Sequence, residues 1–197
     1  LEGHMEALRY FKQAHVLRVA ACEVSGRLPL MKVSDYLTWI AEVILDHVFE
    51  LAWHNLVEKH GRPLREDGQP CDRDFIVLGY GKVGGIEMGY SSDLDLVFIH
   101  DAAANVMTDG GRPVDNSVFF TRLGQRMIHI LTTQTRLGDL YEVDMRLRPS
   151  GQSGLLVSSL KSFTEYQLSS AWLWEHQALV RARVVAGDSK LAARFEA

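Results

Sequence analysis

The run FIVLGYGKVGGIEMGYSSDLDLVFIHD, residues 75–101, decides the fold. Phe75 to Leu78 read as a short buried strand, Gly79 to Ser92 as a glycine-rich loop, and Leu94 to Ile99 as a second strand. Asp93 and Asp95 lie two apart, so their side chains project from one strand face, roughly 6.5 Å apart along the backbone. Two carboxylates so placed repel unless something positive sits between them. Hard divalent cations such as Mg²⁺ take carboxylate oxygens, and a pair of such ions can clamp the attacking and leaving oxygens of an in-line displacement at phosphorus. The competing reading is a half-exposed strand whose acids face water.

A second stretch, Tyr141 to Leu147, repeats the alternation. Tyr141, Val143, Met145 and Leu147 are expected to face the core, with Glu142, Asp144, Arg146 and Arg148 on the other side. Asp144 is thereby a candidate to complete the metal site or to accept the proton of an acceptor hydroxyl. Arg146 and Arg148 are candidates to hold triphosphate oxygens. Against this stands an amphipathic strand whose charges pair with one another in water.

The glycine loop sets a trap. Gly79-Tyr80-Gly81-Lys82-Val83-Gly84 matches GxGxxG after a strand, and Asp101 follows about 20 residues on, as a dinucleotide fold requires. That reading needs a crossover helix between Gly81 and Ser92, where Gly84, Gly85 and Gly89 interrupt it. It would also bury Asp93 and Asp95 beneath that helix. No GxxxxGK followed by Ser or Thr is present, so a P-loop is not supported either. A tight loop whose backbone N–H groups approach a triphosphate, with Lys82 adding charge, accounts for the glycines, as does a plain turn between strands.

Outward from this centre, residues 6–61 read as a helical annex. Its first helix carries Tyr10, Ala14, Leu17, Ala21 and Val24 as its stripe. Its second is capped at Ser34, striped by Leu37, Ile40, Ile44, Val48 and Leu51, and stopped by Gly61 and Pro63. Residues 62–73 form a charged linker and 74–197 the catalytic domain. Leu1 to Met5 (1–5) are expected to be a cloning scar outside the fold, and the end is expected to be a C-terminal truncation. Ser117 to Leu131 reads as a helix striped by Phe119, Leu123, Met127 and Ile130. Leu155 to Val157 follows as a short strand and Ser162 to Val180 as mainly helix. Within the last stretch, Trp172 and Trp174 are expected in the core, Glu175 beside a base, and Arg181 and Arg183 as phosphate or acceptor contacts by the rarer reading. His129 is expected to be packed or partly exposed on its helix.

With 197 residues and 47% hydrophobic content, the chain can bury a sizeable core. A net charge of −4 gives no general pull toward nucleic acid, and no apolar run approaches the roughly 20 residues that span a bilayer. Two cysteines, Cys22 and Cys71, support no disulfide framework and no zinc knuckle, and the histidines lack HExxH spacing. A reducing, cytoplasmic setting is expected, with neither nucleic acid nor membrane as partner.

The order of strand, glycine loop, SDLDL and acidic strand resembles the DNA polymerase β-like nucleotidyltransferase superfamily. The blocks VLGYGKVGGIEMGYSSDLDLVFIHD, YEVDMRLRPSGQSGLL and WLWEHQALVRARVVAGD further resemble the glutamine synthetase adenylyltransferase family, a bifunctional bacterial enzyme with two similar halves. The GYGK, LRPSG and WEHQALVRAR wording is similar to its C-terminal, adenylylating half. The resemblance implies an α+β nucleotidyltransferase fold, with a mixed sheet flanked by helices and the helical annex in front. It implies transfer of AMP from ATP to a tyrosine hydroxyl of glutamine synthetase, under a PII-type signalling protein and glutamine. By motif, Asp93, Asp95 and Asp144 would bind Mg²⁺ (Mn²⁺ as the alternative ion) and act in catalysis, while Gly79, Gly81, Lys82, Ser92, Arg146 and Arg148 would lie along the nucleotide. Tyr80 stands where the superfamily has serine, so Lys82 or Ser92 takes over that phosphate contact. The AMP-removing twin and an inactive regulatory module with a dead nucleotide fold are the alternatives.

Overall fold

The computed structural model describes residues 2–196. Two long helices come first, α1 (Glu2–Val24) and α2 (Leu30–His60), followed by β1 (Phe75–Gly79), the single-turn helix α3 (Gly81–Gly84) and β2 (Leu94–His100). Then come α4 (Asn116–Thr132), β3 (Val143–Asp144), β4 (Val157–Ser159), α5 (Leu160–Ser169), α6 (Leu173–Leu179), β5 (Arg183–Gly187) and α7 (Ser189–Glu196). The class is the expected one, α+β with a mixed sheet flanked by helices.

The sheet runs β3-β2-β1-β5, with β4 also on β2. β1 pairs antiparallel with β2 and with β5, whereas β3 and β4 pair parallel with β2. β3 takes the Leu94–Asp95 end of the β2 edge and β4 takes Phe98–His100. The antiparallel β1/β2 pair disposes of the dinucleotide reading, which needs those two strands parallel across a helical crossover. The parallel connection runs instead from β2 through α4 to β3.

Strand parity sorts the core into two layers. Phe75 and Val77 of β1 join Leu94, Leu96 and Phe98 of β2 on the face covered by α2 and α4. Ile76 and Leu78 join Val97 and Ile99 on the other, against Phe163 of α5 and Leu191 of α7. Asp95 shares the parity of Val97 and Ile99. It therefore stands at the open end of the second face.

Several local expectations change. α2 begins at Leu30 with Pro29 in the capping position, one turn before Ser34, whose carbonyl instead accepts from the Thr38 hydroxyl (2.8 Å). Gly61 does end the helix, at φ 79°. α4 is capped by Asp115, which accepts from the Ser117 N–H (2.8 Å). On α1 the expected stripe faces outward, Tyr10 being 69% and Leu17 70% exposed, and Met5, Leu8 and Val19 are buried. The opening residues expected outside the fold are helical from Glu2 on. Trp172 and Trp174, expected in the core, are 70% and 53% exposed, because α6 turns Glu175, Ala178 and Leu179 inward. Among the described residues Glu175 meets no base: its carboxylate accepts from the Tyr166 hydroxyl (3.0 Å) and the Trp172 N–H (2.8 Å).

His100 closes β2 inside the aromatic layer, stacked on Phe120 at 4.7 Å and accepting at Nδ1 from the Ala102 N–H (3.2 Å). Burial pushes its pKa down to about 4 from 6.5. The neutral ring is the form the core accommodates. Its contribution is thus intact above pH 6.5 and is lost as pH falls toward 4, where the unfolded chain takes up a proton that the folded one refuses. Denaturant melts across this window should show a stability loss of up to about 3 kcal/mol that His100→Gln removes. An unchanged slope in the variant would contradict the assignment.

Candidate active site

β2 begins at Leu94, so Asp93 precedes the strand by one residue while Asp95 lies inside it. β3 pairs Asp144 directly with Asp95 and Val143 with Leu94. The Leu94 N–H donates to the Glu142 carbonyl (2.9 Å), which extends the register by one step. Asp93, Asp95 and Asp144 therefore converge, and each can offer one carboxylate oxygen such that all three lie within 4.8 Å of one another. All three are half-buried. Burial raises the Asp95 pKa, and the charges of Asp93 and Asp144 raise it further.

The donor set fits a hard divalent cation. Three carboxylates in one small volume supply oxygen ligands, and their mutual repulsion is what such an ion would relieve. The arginine after Asp144 meets part of that need here: Arg146 donates its backbone N–H (2.8 Å), its Nε (2.7 Å) and its Nη2 (2.5 Å) to the Asp144 carboxylate. The guanidinium bond is the main reason that Asp144 titrates below its usual range.

The glycine loop abuts the acids. The Tyr80 N–H donates to the Asp95 carbonyl (2.9 Å), and Gly81 has φ +55°. A methyl group on Gly81 would come 2.5 Å from Asp95 Oδ2, so this residue must lack a side chain for the carboxylate to sit where it does. Gly79 is buried, and a methyl there would meet Val185 (2.8 Å) and Val83 (2.9 Å); it serves close packing beneath the loop. Lys82 is exposed. The Ser92 hydroxyl accepts from the Gly89 N–H (2.8 Å), which leaves its own proton to donate. Tyr80 is buried in the second core layer, so its hydroxyl does not stand in for a serine at the loop surface.

A cleft of about 730 Å³ opens beside the acids and brings together Asp93, Asp144, Arg146 and Arg148. Glu142 and Gln152 also line it, and neither is a site candidate from the sequence alone. The parity of Glu142 with Asp144 was the available signal. Gln152 carried none, since it arrives through the turn after Pro149. Arg148 donates to the carbonyls of Met145 (2.9 Å) and Gln152 (3.2 Å), and its Nε is buried without a partner among the described residues. Arg181 and Arg183 brace the glycine loop. Arg181 pairs with Glu87, while Arg183 pairs with Glu42 and donates to the Val83 carbonyl (3.1 Å).

A family model described as glutamate-ammonia ligase adenylyltransferase matches residues 1–197. The chain is 67% identical over 197 residues to a bifunctional glutamine synthetase adenylyltransferase/adenylyl-removing enzyme of Pseudomonas aeruginosa, covering 100% of this chain and 20% of that protein. Proteins of the same description from Pseudomonas putida and Thioalkalivibrio sulfidiphilus are 66% and 58% identical, again over 20% of their length. The chain thus spans about a fifth of the curated relatives it matches.

Proposed function

The chain belongs to the glutamate-ammonia ligase adenylyltransferase family, and on that premise we propose that it transfers AMP from ATP to a tyrosine hydroxyl of glutamine synthetase, releasing pyrophosphate and lowering the acceptor's activity. The observation that carries the reading is the approach of Asp93, Asp95 and Asp144 to within 4.8 Å beside a glycine whose missing side chain makes room for one of them.

The acids would hold Mg²⁺, with Mn²⁺ as the alternative ion, which when bound supplies positive charge at the α-phosphoryl oxygens and the departing pyrophosphate. The phenolic oxygen attacks the α-phosphorus, the bond to the bridging oxygen of the β-phosphate breaks, and pyrophosphate leaves in line. A phenol with a pKa near 10 needs help to ionise at neutral pH, and Asp144 accepts its proton. For this, Arg146 must shift its grip from the carboxylate to phosphate oxygens, where Arg148, Lys82 and Ser92 join it. Gly79 and Gly81 let the loop backbone lie close to the nucleotide.

Gly81→Ala is expected to displace the Asp95 carboxylate and lower transfer by roughly a hundredfold. Gly111→Ala serves as control, since nothing lies within 4 Å of the added methyl. Equal rates in both would remove Gly81 from the site.

The relatives' bifunctional description gives a second reading, in which this fragment removes AMP by phosphorolysis. Incubation with α-labelled ATP and glutamine synthetase separates the two. Label appearing on the acceptor supports the transferase, and label lost from adenylylated acceptor only with phosphate supports its twin. A PII-type regulator and a cytoplasmic setting are proposed for the longer protein. Both cysteines are free, and among the described residues no helix is long and apolar enough to cross a membrane.

A further inference from the structure

A second cleft, about 460 Å³, lies between the C-terminal half of α2 and the middle of α4 and shares no residue with the acidic site. Lys59, His60, Arg122, Arg126 and His129 line it, and among the described residues no carboxylate does. The amides of Asn55 and Gln125 add further donors.

This concentration of basic groups is unusual for a chain of net charge −4. Elsewhere six of the other thirteen arginines find carboxylates: Arg65, Arg73, Arg146, Arg181, Arg183 and Arg194 each sit in an ion pair. Among the described residues, Lys59, Arg122 and Arg126 have no carboxylate in ion-pair contact. Lys59 and His60 fall in the last turn of α2 and His129 in the last turn of α4, where the helix dipole favours cations. That explanation does not extend to Arg122 and Arg126. They lie in the middle of α4, four residues apart, where like charges oppose helix formation.

Arg122 is also held in place. Its guanidinium can only donate, so the contact to His60 Nε2 (3.1 Å) makes that nitrogen an acceptor and puts the ring proton on Nδ1, which donates to the Arg112 carbonyl (2.9 Å). His60 is buried, and its ring therefore anchors Arg122 at the mouth of the cleft. Farther along α4, His129 Nδ1 is engaged by the Thr133 hydroxyl (3.1 Å), so Nε2 is the nitrogen open to a ligand.

We infer that this cleft binds a small anion bearing two or more phosphoryl or carboxylate groups. Its volume lies in the range of small-molecule sites, and planar guanidinium forks recognise both kinds of oxyanion through paired hydrogen bonds. Two arginines four residues apart on one helix, with a lysine across the cleft, suit a ligand with more than one charged group.

The test is calorimetric titration of the 197-residue chain with inorganic pyrophosphate and, separately, with citrate, in EDTA so that metal-dependent nucleotide binding is silent. Saturable one-site binding that weakens with added salt is expected for at least one of them. Pyrophosphate alone would identify phosphoryl groups as the ligand chemistry, and citrate alone carboxylates. Arg122→Gln with Arg126→Gln should weaken binding roughly a hundredfold, about tenfold for each charged contact removed. Lys59→Gln, on the exposed facing wall, should weaken it in the same direction with no disturbance of α4. Arg146→Gln with Arg148→Gln should leave it unchanged. No saturable binding of either anion, equal binding by the Arg122/Arg126 double variant in a folded state, or loss in the Arg146/Arg148 pair instead, would each overturn the assignment.

Discussion

Asp93→Asn with Asp95→Asn is expected to lower AMP transfer by at least about a thousandfold, since a bound metal supplies several kcal/mol of transition-state stabilisation and each 1.36 kcal/mol is a factor of ten. The change keeps the shape of both side chains and removes their charge. The Asp95 pKa is raised by burial and by the charges of Asp93 and Asp144, so the acids are mutually unfavourable without a cation. The double variant should accordingly melt no lower than the parent in metal-free buffer, and higher if repulsion dominates. Activity lost with stability kept is the signature of a charge needed for chemistry. Retention of transfer within tenfold would remove these two residues from the mechanism.

Arg9→Met is expected to cost roughly 2–4 kcal/mol of folding stability, because buried carbonyls left without donors cost about 1–3 kcal/mol each. Arg9 is only 1% exposed. Its guanidinium donates to the carbonyls of Met5 (2.8 Å), Gly138 (2.6 Å), Ile130 (3.2 Å) and Thr133. Desolvation lowers its pKa, and Asp139 and Glu6 oppose that shift. The Ile130 carbonyl is one of the orphan acceptors at the end of α4, and the neighbouring Leu131 carbonyl accepts from the Leu140 and Tyr141 N–H groups. Lys12 adds to the clasp by donating to the Leu140 carbonyl and standing 3.8 Å from the Tyr141 ring centroid. α1 thereby fixes the segment that enters β3 three residues before Asp144. Urea denaturation with an unchanged m-value measures the effect, and a loss under about 1 kcal/mol would mean water replaces the guanidinium at little cost.

These residues also show what the sequence could and could not reveal. The same-face placement of Asp93 and Asp95 was legible because strand parity is local: Leu94, Leu96 and Phe98 go one way and the odd positions the other. The convergence of Asp144 was legible as a third acid of suitable parity, but its strand was overestimated. Only Val143 and Asp144 pair, because β4 claims the rest of the β2 edge and the Arg146 N–H turns back onto the Asp144 carboxylate. No count of alternating residues contains that competition between two segments for one edge.

The helix faces failed for a related reason. α1 carries apolar residues on two sides, and the side that docks is the one that also buries Arg9 and half-buries Lys12, whose terminal groups find carbonyls more than 120 residues away in the chain. A stripe count favours Tyr10, Leu17 and Val24, which face outward. Trp172 and Trp174 misled in the same way, since size predicts burial only on the inward face of a helix. The glycine loop was legible in outline, while the strict need for Gly81 emerged only from its distance to Asp95.

The most direct measurement is titration of the chain with Mn²⁺, followed by the loss of the free ion's paramagnetic resonance signal, with and without ATP. Saturable binding that ATP tightens, and that Asp95→Asn abolishes while Gly111→Ala leaves it alone, is the predicted result. Absence of binding with ATP present, or binding of the same strength after Asp95→Asn, would contradict the claim that Asp93, Asp95 and Asp144 form a cation site for nucleotide transfer.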